Sequence, residues 1–274
     1  YAKAYSISSL LHPLSALMLP IASWFYENVG LLPLFIFNAI TFAIAATFET
    51  QIRVKEEQVS DEKTKYSLKR YKDDFVQGIS YLKKEKGLLF ITAYFMVSTM
   101  VGSANSTLTL PYFKATENLG ATIYTWVTSC AVIGRLIGGV IHYRFRYPTE
   151  KKFAIAFFVY IVSAVIDGGY LFTPVIIMMI TQFISGLICV TSFNIRISST
   201  QNYVPNEMRG RYNGTYQMLT TVGSIIGQLS AGVLGEVFPY RAVMVAMNLF
   251  ALVAAIAIMY PGRDHVKRIY NVDI

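Results

Sequence analysis

From position 88 to 112 the chain carries no aspartate, glutamate, lysine or arginine. A run of about 20 apolar residues is what a helix needs to cross a ~30 Å hydrocarbon core. Eight such spans can be marked, at 7–26, 30–49, 88–112, 121–143, 153–172, 175–199, 213–235 and 240–260. Inside hydrocarbon every backbone N–H and C=O must be bonded within its own segment, so the spans are helices. Barrel strands would show alternating segments of about 10 residues, and none are present. The fold class is therefore an all-α membrane protein with eight transmembrane helices. The composition agrees, with 54% hydrophobic and 15% charged residues. A soluble domain averages about 25% charged residues, so this chain has too few to cover a water-facing surface.

The formal net charge is +8, but the cations are not arranged for nucleic acid. They sit between apolar spans and are not interleaved with exposed aromatics as a nucleic-acid groove would need. Assigning the N-terminus, 50–87, 144–152, 200–212 and 261–274 to one side gathers twenty lysines and arginines there, against Lys114 and Arg241 opposite. By the positive-inside rule both termini are expected in the cytoplasm.

The segment 51–87 divides the chain. Before it lie two spans (1–50), after it six (88–261) and a short cytoplasmic tail (262–274). Val54–Lys65 is charged and reads as a mobile stretch. From Tyr66, the positions Leu68, Tyr71, Phe75, Ile79 and Leu82 recur at helical spacing among Lys69, Lys72, Lys83 and Lys84. That pattern predicts an amphipathic helix on the membrane surface. The two cysteines, Cys130 and Cys189, fall inside spans and lack the spacing of a metal site.

Two spans, a long basic loop and six more spans resemble the last two-thirds of a major facilitator superfamily transporter. Asn38-Ala39-Ile40-Thr41-Phe42 with Glu49 is similar to the sixth-helix signature of the macrolide-efflux and enterobactin-exporter branch. Phe75-Val76-Gln77-Gly78-Ile79-Ser80-Tyr81-Leu82-Lys83-Lys84 resembles that branch ahead of its seventh helix. Gln201-Asn202-Tyr203-Val204-Pro205-Asn206-Glu207-Met208-Arg209-Gly210-Arg211 resembles its loop between helices ten and eleven. The resemblance implies that the spans are helices five to twelve of a twelve-helix fold, so the sequence is expected to be a fragment whose partners include the missing N-terminal helices. Two motifs depart from the superfamily pattern. The antiporter signature of helix five reads Leu19-Pro20-Ile21-Ala22-Ser23, its proline kept and its glycines replaced. The motif after helix eight places His142 where an aspartate is usual. Neither motif, as it stands, implies proton antiport.

An ionisable group inside a span is a functional candidate by default, because charge is expensive in hydrocarbon. Asp167, in the outer third of its span, reads either as a coupling carboxylate or as a side chain reaching water. Arg135, flanked by Gly134 and Gly138, would bind an anion, pair with a carboxylate or snorkel to the headgroups. Arg196 lies nearer the basic side, where snorkelling or backbone pairing is expected. Asn105, Gln182, Asn194, Gln217 and Gln228 would line a cavity or bond between helices. Gly223, Gly227 and Ala231 mark a close-packing face. The resemblance implies a gate-associated hinge at Glu207, Arg209 and Arg211, with Arg196 grouped beside it; residue pattern alone explains these cations as topogenic charge.

No His-Glu-x-x-His, phosphate loop, or intramembrane serine- or aspartyl-protease pattern occurs, so no enzyme and no cofactor are expected. The resemblance implies a bacterial plasma-membrane carrier, an antiporter of the drug-resistance type. It would export a hydrophobic or amphipathic small molecule such as a macrolide-like drug by alternating access, with protons as a possible coupling ion. The alternative is a truncated or non-transporting membrane scaffold that needs the missing helices or a partner chain. Expected partners are the lipid bilayer and a small-molecule substrate, with no nucleic acid.

Overall fold

The computed structural model describes residues 28–51, 68–144 and 147–272 continuously, with a few positions between 18 and 26. The span 7–26 and the stretch Val54–Lys65 fall mostly or wholly outside the described residues. Within the described residues the chain is helical and has no strand. Seven helices there are long and apolar enough to cross a membrane.

α1 spans Leu31–Glu49 and buries none of its residues. It starts after Gly30, whose φ of 94° suits glycine. α2, Leu68–Lys84, is the amphipathic segment; Gly78 and Leu82 are buried while Val76, Lys83 and Lys84 stay exposed. Six helices follow: α3 (Lys86–Ala115), α4 (Gly120–Arg144), α5 (Lys152–Gly169), α6 (Val175–Tyr203), α7 (Asn206–Val237) and α8 (Tyr240–Ala254). A π-helical turn, Ala255–Met259, continues α8. A final helix, α9 (Arg263–Tyr270), closes the bundle.

Proline sets several of these starts. Pro174, Pro205 and Pro239 stand immediately before α6, α7 and α8, with φ near −57° and extended ψ. Such a residue ends the preceding segment and needs no N–H of its own at a helix entrance. Pro111, by contrast, lies inside α3 near its end; membrane helices tolerate such a proline, because neighbouring groups can satisfy the freed backbone.

Helix α3 packs on α7 and α4 packs on α6; α5 lies against α6 and α8, and α8 returns to α3. Two apolar cores result. One, at the basic end, joins Leu88, Ile91, Tyr94, Phe153, Tyr160, Ile195 and Tyr212 to Val266, Ile269 and Tyr270 of α9. The other, at the opposite end, joins Leu108, Phe113, Val127, Leu171, Met178 and Met244. Outside these cores the helices expose large apolar side chains such as Val140, Phe158, Ile176, Leu229 and Val233. Lipid tails are the solvent such a surface fits.

Two expectations are adjusted. Residues 262–274, read as a tail, contain α9, anchored by Asn271: its Oδ1 accepts from Phe153 N at 2.9 Å and its Nδ2 donates to Glu150 O at 2.7 Å. Residues 206–212, read as loop, are the first two turns of α7. A helix can run past the bilayer wherever its polar residues are welcome, so apolar length alone understates it.

Candidate functional site

Glycines bring the helix pairs together. A Cβ at Gly134 or Gly138 would lie under 3.0 Å from the Phe183 or Leu187 carbonyl oxygen, and one at Gly186 would collide with Ala131 O. Between α7 and α3, a Cβ at Gly223 or Gly227 would meet the carbonyl oxygens of Met96 and Met100 within 3.0 Å. Ala231 continues that face fully buried. Small residues let backbones approach where lipid gives no hydrophobic drive to associate.

The close approach of α4 and α6, with α5 against α6, assembles a polar site. Asp167 Oδ1, half-buried near the end of α5, accepts hydrogen bonds from Ser185 Oγ at 3.0 Å and Gln182 Nε2 at 3.4 Å, both on α6. Arg135, exposed on α4, is the cation whose field acts on this carboxylate. Asp167 makes no ion pair within 4.0 Å among the described residues; two neutral donors hold it. Such a group can take up or release a proton, or bind a cation, without dismantling its surroundings.

Other polar candidates form separate pairs. Asn105 on α3 and Asn248 on α8 exchange hydrogen bonds through both amides, at 3.2 and 3.1 Å. Ser103 and Ser224 bond at 2.7 Å between α3 and α7, and Gln228 donates to Ser224 at 3.2 Å. Gln217 bonds along its own helix to Thr221 at 3.5 Å. Asn194 is exposed on α6. Their contacts between helices fall at two interfaces, α3/α8 and α3/α7, and do not converge on Asp167.

At the basic end Arg196 departs from expectation. It is buried among rings instead: it is 9% exposed, and its guanidinium lies 4.7 Å from the Phe95 ring centre, 4.8 Å from Tyr216 and 5.4 Å from Phe193. Its Nε has no hydrogen-bond partner among the described residues. Weak hydration lets a guanidinium stack on rings in a way an ammonium does not. Glu207, Arg209 and Arg211 lie on the first turns of α7, just after the break in the backbone at Val204–Pro205. Arg209 donates to Gln201 O at 2.8 Å, so this cation is tied back to the end of α6. Arg211 lies 3.8 Å from Met208 Sδ. Just outside the spans, burial pushes the Tyr270 hydroxyl of α9 well above the usual phenol range, and burial with the nearby Glu85 charge raises Tyr81. Both phenols are neutral at physiological pH.

Sequence reasoning overlooked three arrangements. Asn248 is 4% exposed and was hidden by the apolar run around it. His142, singled out only as a departure from a motif, bonds Thr191 Oγ1 at 2.8 Å and the Tyr147 hydroxyl, joining α4 to α6. Arg241, counted only as a loop charge, bonds the Tyr112 hydroxyl and stacks 5.3 Å from Phe172. Spacing along one helix cannot reveal such contacts, because their partners are more than forty residues away or across a turn.

Residues 92–271 match the family model described as Major Facilitator Superfamily. Neither the curated proteins nor the solved structures include a match to this chain. Members of that family are generally membrane transporters, in keeping with helices built to cross a bilayer several times. With well over half its length matched by one family model and a multi-pass helical bundle to go with it, the chain belongs to the Major Facilitator Superfamily.

Proposed function

We propose that the chain works in the export of a hydrophobic or amphipathic small molecule, such as a macrolide-like drug, across a bacterial plasma membrane, with both termini cytoplasmic and transport coupled to protons through Asp167. The observation that carries the reading is the setting of that carboxylate. It lies in a span and is held by Ser185 and Gln182 of the neighbouring helix. An ionisable residue in such a place marks an ion or proton pathway by default. The likeness of 201–211 to the efflux branch supports the direction of transport, and the glycine-tight pairs suit rigid-body rocking about a midplane site.

In a proton-coupled cycle Asp167 would bind a proton from one side and release it to the other as the bundle tilts. Asp167→Asn keeps the shape and the hydrogen-bond acceptor but fixes the charge at zero. In everted membrane vesicles carrying the protein, it is expected to abolish accumulation driven by a pH gradient at normal protein level, while Asp167→Glu retains part of it. Gradient-driven transport unchanged by Asp167→Asn would refute the coupling role.

A further inference from the structure

A cavity of about 300 Å³ opens at the basic end where α2 gives way to α3. Its lining is Lys84, Glu85, Lys86, Gly87, Tyr203, His265 and Arg268. We infer that this cavity is a binding site for the phosphate of an anionic lipid headgroup.

Four features support the assignment. Lys84 and Lys86 are exposed on either side of the α2–α3 junction, and the fold brings the exposed Arg268 of α9 to join them. The single acidic residue in the lining is already engaged: Glu85 Oε2 accepts from the Tyr203 hydroxyl at 2.8 Å. Lys86 and Gly87 open α3, and Glu85 offers no side-chain cap; first-turn amides of a helix lack intrahelical acceptors and favour an anion. Finally, the cavity lies where a membrane-spanning helix begins. The apolar run of α3 starts at Leu88, one residue beyond the cavity, so the cations stand at headgroup level. Basic pockets beside transmembrane helices at that level suit anionic headgroups.

The floor of the site is built for permanence. Gly87 packs so tightly on α9 that a Cβ there would lie 2.6 Å from His265 O, and the His265 ring stacks on Phe90 with centres 6.4 Å apart. Bound lipid would therefore bridge α2, α3 and α9, pinning the final helix against the bundle.

The test uses the purified protein in neutral detergent with phosphatidylglycerol as the probe, read by native mass spectrometry across a lipid titration. The triple variant Lys84→Gln/Lys86→Gln/Arg268→Gln removes only exposed cations. It is expected to weaken retention of phosphatidylglycerol about a hundredfold, given roughly fivefold for each of the three cations beside an anionic surface. A matched triple variant, Lys72→Gln/Arg144→Gln/Lys151→Gln, removes the same charge from exposed positions outside the cavity and is expected to leave retention near that of the parent protein. Equal losses in the two triples, or no loss in the first, would overturn the site. Inorganic phosphate added at constant ionic strength separates the sources: failure to displace the lipid supports a headgroup site, whereas displacement at equal concentration would make it a free-phosphate site and sink the lipid assignment.

Discussion

Gly134, Gly138 and Gly186 set the α4/α6 pair backbone to backbone, and Gly223 and Gly227 do the same for α3/α7. Beyond that shared device the two interfaces diverge. Beside the first stand Arg135 and, on the adjoining α5, Asp167 with its donors Ser185 and Gln182. The second holds neutral groups: Ser103 with Ser224, and Gln228. Tight packing is therefore a property of the bundle, whereas the Asp167 carboxylate stands on one side of it. Close helices supply rigidity in both places, and the α4/α5/α6 side adds a carboxylate, Asp167, held by hydrogen bonds from Ser185 and Gln182.

The largest effects should fall on both pairs alike. Gly186→Val and Gly227→Val each force side-chain atoms against a carbonyl on the facing helix. Overpacking costs about 1–3 kcal/mol, at the upper end here because backbone must move. Both variants are expected to lower the melting temperature in detergent and to reduce the monodisperse fraction on size exclusion. If one pair accepts valine and the other does not, the two interfaces are not equivalent and the comparison breaks.

Next comes the charge. Asp167→Asn is expected to remove proton-driven accumulation while leaving the melting temperature at or above that of the parent, since a half-buried carboxylate is replaced by a neutral amide in the same hydrogen bonds. Gln228→Ala, the corresponding polar deletion on α7, should leave transport in place. Vesicle uptake under an imposed pH gradient, run on both variants, sharpens the contrast. Equal losses would mean that polarity in general, and not ionisation, is what transport needs.

The bundle and its glycine faces were legible in the sequence because both depend on one-dimensional quantities. Apolar length is dictated by bilayer thickness, and the four-residue steps of Gly134 and Gly138 or Gly223 and Gly227 follow from helical pitch. Asp167 and Gln182 could each be singled out as polar residues in apolar runs, but nothing in their spacing links a residue on α5 to one on α6. Arg196 shows the limit most clearly. Its position near the basic side suggested an escape to water, yet rings contributed by α3 and α7 hold it inside. The α7 start was misread because apolar length ignores helix that continues beyond the membrane.

Arg196 also joins the two sides, since it stands on α6 and stacks on Phe95 of α3 and Tyr216 of α7. Arg196→Gln keeps a polar end but is shorter and uncharged, so it loses the ring contacts. A desolvated cation–π contact contributes about 2 kcal/mol and an exposed one about 0.5–1 kcal/mol. The variant is expected to destabilise the protein by roughly 2 kcal/mol by those figures, more than Arg241→Gln, whose guanidinium is exposed beside Tyr112 and Phe172. Thermal melts in one detergent rank the two. A reversed order would show that burial adds nothing to the ring contacts of Arg196.

The smallest effect belongs to the neutral interface. Ser103 and Ser224 face one another at 2.7 Å, and either hydroxyl can donate. Hydrogen bonds between helices in a bilayer average only about 0.6 kcal/mol, because the separated helices also find partners. Removing the Ser103 hydroxyl leaves Ser224 with Gln228 Nε2 as a partner at 3.2 Å. Ser103→Ala, Ser224→Ala and the double variant therefore form a cycle whose interaction energy should be about 0.6 kcal/mol, with transport unchanged in all three. A coupling energy several times larger would mean that the α3/α7 pair depends on its polar contact as much as on its glycines. The two interfaces would then differ in how they are held together as well as in what they carry.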